Sequence, residues 1–328
     1  MVRHNLILSQ AIEGMLLEKH ADGKSAHTLA DYRVGLKKLQ IFLGDDPPLA
    51  GIDRDQLIAF FAWLRDDYVS EPDGAAPRGR IRLSEKTRLN IHTALSALWT
   101  WAVKNEFVER NFLRTIAPPR VNASAIDPLT QAEFELLLKA CDKTQTWRTR
   151  AGTSSHRLTA ERDRLLLRLL LDTGLRAQEL CDVVVDNVNL GANAIKIRGK
   201  GNKERTVRFG KRTAKAIWAY LIPRLTTMQP TDPLILVGYP GDPRPMTRYN
   251  LGLLLRRLGK RAGVKHVHPH RFRHTFATFY LRNGGNMLAL KELLGHSDME
   301  MVTRYAHFVQ ADFAADHAKA SPVDNWRA

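Results

Sequence analysis

The sequence predicts a mainly α-helical protein of two domains, with a small three-stranded antiparallel sheet in the second. Apolar residues recur at helical spacing along most of the 328 residues. Three short segments rich in Val and Ile alternate with turn residues. A proline-bearing segment without periodic apolar residues separates the two halves. We therefore expect a first domain over residues 1–115, a linker over 116–128, and a second domain with a C-terminal tail over 129–328.

The first domain is predicted to be an all-helical bundle. Ser25, Asp53 and Ser84 are suited to cap helices, because their side-chain oxygens can accept hydrogen bonds from first-turn amides. The turn-rich segment Ser70–Arg80 predicts a flexible connection. The expected helices run from Leu6 to Lys19, from Ser25 to Leu43, from Asp53 through Leu64, and from Ser84 through Val103.

The second domain is predicted to place its small sheet between groups of helices. Thr130 and Glu133 form a capping-box pattern at a helix start, and Gly174 ends the strongly apolar ERDRLLLRLLLDT helix. A short helix, AQELCDV, follows Arg176. The expected strands are Val185–Leu190, Ala194–Arg198 and Arg205–Phe209, and later helices are expected over Arg212–Leu225, Thr247–Ala262 and much of His266–His307.

The charge balance favours a partner that carries phosphates. The chain has 50 Lys and Arg against 34 Asp and Glu, a formal net charge of +16, so nucleic acid is the leading partner and a merely solvated basic surface is the alternative. Arg148 and Arg150 lie in a polar stretch that would either contact DNA or stay solvated. The absence of a long apolar run or a secretory leader predicts a cytoplasmic protein without a membrane segment. Cys141 and Cys181 are expected to be reduced core residues.

Residues suited to phosphoryl transfer accumulate in the second domain. Breaking a DNA strand without a metal requires a cationic clamp, a nucleophile and an acid for the leaving oxygen. The planar fork of arginine suits the clamp, and tyrosine suits a nucleophile that stores a reversible phosphoester. The HVHPH run could suggest zinc, but Pro269 interrupts it and no matching ligand cluster is evident, so no metal is expected. The candidates for this chemistry are Arg176, Lys200, His270, Arg273, His296 and Tyr305.

Four motifs carry a family resemblance. TGLRAQEL at 173–180, GKGNKERTV at 199–207, HRFRHTFAT at 270–278 and LGHSDMEMVTRYAH at 294–307 occur in this order. Together they resemble the tyrosine recombinases, the phage integrase and Xer-like family of site-specific DNA recombinases. The helical first domain and its linker resemble the core-binding domain of that family by pattern. The resemblance implies a SAM-like core-binding domain and a catalytic domain with the DNA breaking-rejoining enzyme fold.

The resemblance also implies a role for each candidate residue. Tyr305 would attack the scissile phosphate and form a 3′-phosphotyrosyl link, while Arg176 and Arg273 hold the nonbridging oxygens. His270 would accept the tyrosine proton and His296 would hydrogen-bond the phosphate. Lys200 would protonate the leaving oxygen, with Lys203 as its rival, and Glu179 would orient Arg176. The further DNA contacts expected are Lys203, Arg205, Arg148, Arg150 and Arg271.

The implied enzyme uses neither metal nor ATP, because a phosphotyrosine conserves the energy of the broken bond. We expect a homo-tetramer on paired double-stranded DNA sites, with the apolar tail residues Phe308, Val309 and Phe313 docking on a neighbour, and accessory DNA-bending proteins as further candidate partners. A type IB topoisomerase-like enzyme and a catalytically silent DNA-binding regulator are the alternatives. The spacing from LGH to Tyr305 and the small first domain favour a recombinase, and the intact set of candidates argues against a silent protein.

Overall fold

The computed structural model describes residues 6–70, 81–121, 127–142, 159–199, 204–239 and 242–295, together with residues 303, 305, 317 and 321. The chain divides into two compact units, Met1–Ser124 and Ala125–Ala328, and each unit has an apolar core. The roles of the two predicted domains, a core-binding domain and a catalytic domain, stay predictions.

Four α-helices are described in the first unit, and three of them begin at the predicted caps Ser25, Asp53 and Ser84. The Ser25 hydroxyl accepts from the Thr28 amide at 3.2 Å, and Asp53 forms a capping box with Gln56. Of the predicted segment Ser70–Arg80, residues 71–80 lie outside the described residues. The helices are α1 (Leu8–Ala21), α2 (Ala26–Leu43), α3 (Arg54–Asp66) and α4 (Glu85–Lys104), and the short strands β1 (Val69–Ser70) and β2 (Ile81–Arg82) pair antiparallel.

The core of the first unit is formed by the apolar faces of these four helices. Leu8, Leu39, Phe60 and Trp99 have no exposed surface. Burying a large apolar side chain of this kind stabilises a fold by roughly 1.5–3 kcal/mol. The spacing of apolar residues along each helix therefore accounts for the bundle.

Seven helices are described in the second unit. The predicted capping box is present, with the Thr130 amide donating to Glu133 Oε2 at 2.9 Å and the Glu133 amide donating to Thr130 Oγ1 at 3.1 Å. Residues 143–158, most of the predicted polar stretch, lie outside the described residues. The helices are α5 (Gln131–Asp142), α6 (Ala160–Thr173), α7 (Ala177–Cys181), α8 (Lys211–Leu221), α9 (Arg248–Ala262), α10 (Pro269–Arg282) and α11 (Met287–Leu294).

The predicted three-stranded antiparallel sheet is confirmed. Its strands are β3 (Val188–Asn189), β4 (Ala194–Arg198) and β5 (Glu204–Arg208), with β4 in the centre. Ile195 pairs with Val207, and both side chains are buried in the core. The first strand is shorter than predicted because Val185–Asn187 forms a 3-10 turn, in which Asn187 Oδ1 accepts from the Val184 amide at 3.2 Å.

Prolines account for two further differences from the predicted elements. α8 ends at Leu221 instead of Leu225, because Pro223 lacks an amide hydrogen and the chain tightens into a 3-10 turn at Ile222–Arg224. A hairpin that the sequence did not predict joins β6 (Leu236–Tyr239) to β7 (Asp242–Pro245). β7 contains two prolines and its side chains are exposed, so the apolar alternation of a strand is missing.

Neither cysteine forms a disulfide, and both are buried, as predicted. Burial, followed by the charge of Asp182, raises the pKa of the Cys181 thiol to about 11. Within the described ranges, every helix is too short or too polar to cross a membrane.

Candidate active site

A glycine turn places the start of α7 against α10 and α11. Gly174 ends α6 with φ +61°, a left-handed conformation that favours glycine. A Cβ on Gly174 would lie 2.4 Å from Cδ1 of Phe276 and 2.9 Å from Cδ2 of Leu294. The turn therefore needs glycine for its conformation and also for its contact with the two later helices. Arg176 follows it as the N-cap of α7.

Arg176 and Arg273 meet at the C-terminal end of α11. Arg176 Nη2 donates to the Gly295 carbonyl at 3.1 Å, and Arg273 Nη2 donates to the Leu294 carbonyl at 2.6 Å. Arg273 Nη1 also donates to the Gly174 carbonyl at 2.8 Å. The last carbonyls of a helix lack partners within the helix and carry its partial negative charge. This helix end therefore brings together two arginines that are far apart in the sequence.

Glu179 is the counter-charge of this arginine cluster. Its carboxylate accepts from Arg176 Nη1 at 2.8 Å and from both terminal nitrogens of Arg205 at 2.9 and 2.8 Å. Burial would raise the pKa of Glu179, but hydrogen bonds from the Arg205 side chain and from the Arg176 backbone and side chain lower it to about 2. Glu179 is thus an ionised, buried carboxylate, and the contact with Arg176 expected from the sequence is present.

The two arginines at the helix end differ in exposure. Arg273 is 5% exposed, and burial, followed by the charge of Arg176, lowers its pKa to about 10. It therefore stays cationic at neutral pH. The Arg176 side chain is 36% exposed. Arg176 is the more accessible of the two cations to a ligand from solution.

His270 lies one turn before Arg273 on α10, at the exposed side of the arginine cluster. Partial burial lowers the pKa of its imidazole, and the charges of Arg273, Arg176 and Arg248 lower it further. His268, from the same HVHPH run, caps α10, with Nδ1 accepting from the Arg271 amide at 3.2 Å. Within the part of the chain that is described, no three His, Cys, Asp or Glu side chains are grouped as metal ligands.

The hydroxyl of Tyr305 lies against His274. Its Oη is 2.6 Å from Nδ1 of His274, and the ring centroids are 5.6 Å apart. Tyr305 is 3% exposed and belongs to an apolar cluster that includes Leu281 and Leu294. The sequence predicted that His270 accepts the tyrosine proton, whereas the histidine that contacts the phenol is one turn further along α10. The four-residue spacing of the two histidines, which puts them on one helix face, was the signal available for it.

Two arginines predicted to contact DNA are instead internal. The Arg205 side chain is 15% exposed; besides its two bonds to Glu179, its Nε donates to the Leu293 carbonyl at 2.9 Å. Arg271 is 6% exposed and donates to the Asp127 and Lys265 carbonyls and to the carboxylates of Asp127 and Glu133. The predictions for these two residues are corrected, because their guanidinium groups bind acceptors inside the unit.

Five of the predicted site residues cannot be placed. Two of them directly follow a described residue: Lys200 comes after Gly199, and His296 comes after Gly295. The predicted residues outside the described ranges are Lys200, Lys203, His296, Arg148 and Arg150.

Comparison with known proteins identifies the family. The sequence model of the phage integrase family matches residues 128–311. The chain is 29% identical over 306 residues to the tyrosine recombinase XerC of Mycobacterium sp. (strain JLS), covering 92% of this chain and 94% of that protein. It is 28% identical over 305 residues to the tyrosine recombinase XerD of Staphylococcus haemolyticus (strain JCSC1435), covering 92% and 93%.

Solved structures show the same fold. The XerH site-specific recombinase bound to a palindromic difH substrate in a post-cleavage complex matches with a TM-score of 0.65 and 22% identity, covering 97% of this chain and 85% of that chain. A lambda integrase(75-356) dimer bound to a COC′ core site matches with a TM-score of 0.67 and 14% identity, covering 93% and 97%. Since the family model covers more than half of the chain, the chain belongs to the phage integrase family and is a site-specific tyrosine recombinase.

Proposed function

We propose that this recombinase cleaves and rejoins double-stranded DNA through a 3′-phosphotyrosyl intermediate on Tyr305. The observation that carries the proposal is the meeting of Arg176 and Arg273 on the adjacent carbonyls of Gly295 and Leu294. Tyr305 belongs to the same apolar cluster as Leu294, the residue whose carbonyl accepts from Arg273. A nucleophile and two cations are thus supported by the same end of α11.

The arginine pair is suited to hold the nonbridging oxygens of a phosphodiester. A guanidinium has five N–H donors, and the hydrogen bonds of Arg273 in the described part of the chain use two of them. The other N–H groups of Arg273 belong to a rigid, cationic side chain. Donors held in fixed positions stabilise the negative charge that develops on the phosphoryl oxygens during transfer. Arg176 would bind the phosphate from the solvent side, with Glu179 holding it in place.

The remaining roles follow the family resemblance. Lys200 protonates the leaving 5′-oxygen, His296 hydrogen-bonds the phosphate, and the resemblance assigns the tyrosine proton to His270, beside the arginine pair. Lys203 is the rival for the acid role. An inactive Lys203→Ala variant beside an active Lys200→Ala variant would reverse that assignment.

The reaction requires neither metal nor ATP, because the phosphotyrosyl bond keeps the energy needed for resealing. The net charge of +16 supports binding to the DNA backbone.

Residues 1–115 act as the core-binding domain and 129–328 as the catalytic domain. The enzyme works in the cytoplasm as a homo-tetramer on paired sites, with accessory DNA-bending proteins as further partners. Phe308, Val309 and Phe313, which motivate docking between subunits, lie outside the described residues; truncation after Gln310 should impair tetramer formation more than binding to one site.

Trapping of the covalent intermediate tests this proposal. A cognate site is first selected from random duplexes with the Tyr305→Phe protein, which binds but does not cleave. A nicked suicide substrate with that site, run on a denaturing gel, should give a protein–DNA adduct with the wild-type protein and none with Tyr305→Phe. Arg176→Ala should reduce adduct formation by about 100-fold or more. No wild-type adduct on cognate DNA would refute the proposal.

Plasmids with and without the selected site distinguish a recombinase from a topoisomerase-like enzyme. A recombinase should exchange strands between two plasmids that carry the selected site and should leave a supercoiled plasmid without it unchanged. Relaxation of that second plasmid at a comparable rate would favour the topoisomerase alternative.

A further inference from the structure

We propose that His274 is a further catalytic residue, the base that accepts the phenolic proton of Tyr305 as the phosphotyrosyl bond forms. The inference rests on the proposed function of Tyr305. Nδ1 of His274 lies 2.6 Å from the Tyr305 hydroxyl oxygen, within the heavy-atom range that direct proton transfer requires. A neutral imidazole with an unprotonated Nδ1 accepts this hydrogen bond from the phenol.

The base and the nucleophile are held by the same two helices. Ala277 and Leu281 of α10 and Leu290 and Leu294 of α11 form the apolar cluster around the Tyr305 ring. His274 is itself on α10, one residue after the buried Arg273. The distance between oxygen and nitrogen is therefore set by helix packing.

The apolar surroundings of Tyr305 make an adjacent acceptor necessary. A phenol at 3% exposure loses the water that would solvate its anion, and burial disfavours the charged form of tyrosine. Transfer of the proton to a neighbouring imidazole creates an imidazolium cation next to the phenolate oxygen that acts as the nucleophile. The barrier to ionising the phenol is lowered because the pair stays neutral overall.

His270 is less suited to this task. Among the described residues, its hydrogen bonds do not include one to Tyr305, and its imidazole lies near the cations of Arg273 and Arg176. That position favours a contact with the phosphate that the two arginines bind. The two histidines on this face of α10 would thus have different roles: His270 contacts the phosphate, and His274 accepts the proton of the nucleophile.

The step balances with the groups already assigned. A bond forms between Tyr305 Oη and phosphorus while the phenolic proton passes to Nδ1 of His274. The bond between phosphorus and the 5′-oxygen breaks, and the leaving oxygen takes its proton from the acid, proposed as Lys200. In the resealing direction, the 5′-hydroxyl attacks phosphorus and gives its proton back to the acid, while His274 returns the phenolic proton to the departing Tyr305 oxygen.

The contact is tested without DNA by fluorine NMR of full-length protein labelled with 3-fluorotyrosine. The Tyr305→Phe variant assigns the Tyr305 resonance. We expect His274→Ala to shift this resonance and His270→Ala to leave it in place. An unchanged resonance in His274→Ala would overturn the proposal, whatever the activity of the enzyme.

The proton transfer is tested with a substrate that carries sulfur in place of the bridging 5′-oxygen. A thiolate leaves without an acid, so the defect of Lys200→Ala should be restored on this substrate. His274→Ala and His274→Asn should both remain about 100-fold or more below wild type in the rate of adduct formation, with DNA affinity unchanged. Asparagine keeps a polar atom near the position of Nδ1 but cannot take up a proton.

The outcomes separate the two proposals. A wild-type rate for His274→Asn, or a larger defect in His270→Ala than in His274→Ala on the sulfur substrate, rejects His274 as the base and leaves the covalent mechanism intact. A wild-type protein that forms no adduct on either substrate rejects the proposed function itself, and the fluorine resonance still reports whether the contact exists.

Discussion

Glu179 balances the charge of two arginines inside the second unit. It is 6% exposed and accepts hydrogen bonds from both Arg176 and Arg205. A buried ion pair is costly to break from one side, because the partner charge is left without compensation. The carboxylate should therefore contribute to stability and, through Arg176, to the geometry of the site.

Glu179→Gln should destabilise the second unit by about 3 kcal/mol at neutral pH, since the pKa of Glu179 falls from an ordinary 4.5 to about 2 on folding. A depressed carboxylate pKa stabilises the fold above the unfolded value and loses that effect as pH falls through the folded value. The difference in unfolding free energy between wild type and variant should therefore shrink between about pH 4.5 and pH 2, as urea titrations at several pH values can measure. Glu204→Gln, at a surface ion pair with Lys196, is the control and should leave the urea midpoint unchanged. A difference that stays constant down to pH 3 would contradict this account.

Arg271 provides a second prediction about a buried charge. Arg271→Ala should destabilise the protein by about 1–3 kcal/mol, because two carbonyls and the partly buried Glu133 carboxylate lose a donor, whereas the exposed Asp127 carboxylate is solvated by water. Its effect on DNA binding should be small at temperatures where the variant is folded. The slope of log affinity against log salt should match wild type, whereas a lost phosphate contact would reduce it by about 0.9. Arg256→Ala, at an exposed position of α9, is the control for stability.

The turn between α6 and α7 shows how one element positions another. The carbonyl of Gly174 in this turn accepts a hydrogen bond from Arg273. The backbone of Gly174 lies so close to the Phe276 ring that there is no room for a Cβ. The sequence predicted that Gly174 ends α6, and the caps at Ser25, Asp53 and Thr130 were also predicted, because capping depends on residues close in the chain. The β6–β7 hairpin was missed because its stability does not depend on an apolar alternation.

Gly174→Ala should cost more stability than Gly263→Ala. Both glycines end helices at positive φ, +61° and +72°, so both substitutions carry a backbone strain of about 1–2 kcal/mol. A Cβ at Gly263 meets nothing within 4 Å, while at Gly174 it meets the Phe276 ring. Denaturant unfolding should show the extra loss in Gly174→Ala, together with reduced adduct formation because Arg273 shifts. Equal losses in the two variants would show that the close contact with Phe276 has no energetic consequence.

At the scale of the whole molecule, each of the two compact units has its own large apolar core among the described residues. Leu39 lies in the core of the first unit and Leu167 in that of the second, and neither has exposed surface. Replacement of a buried leucine by alanine typically costs 2–5 kcal/mol. The effect should be local to the unit that contains the cavity, because each core is formed by residues of its own unit.

Hydrogen exchange measured by mass spectrometry can test this independence. Leu39→Ala should accelerate exchange in peptides from residues 6–121 and leave those from 127–295 unchanged, and Leu167→Ala should do the reverse. Faster exchange in both units of either variant would show that they unfold as one cooperative unit.

The sequence by itself determined the family, the helix starts, the three-stranded sheet and the set of residues suited to phosphoryl transfer. These features depend on local spacing or on motifs that keep their order along the chain. Only the tertiary structure decided that Arg205 binds Glu179, that Arg271 binds Asp127 and that His274 meets Tyr305. These contacts join residues 26, 144 and 31 positions apart, and such pairs form when distant segments pack together, which no local pattern of residues encodes.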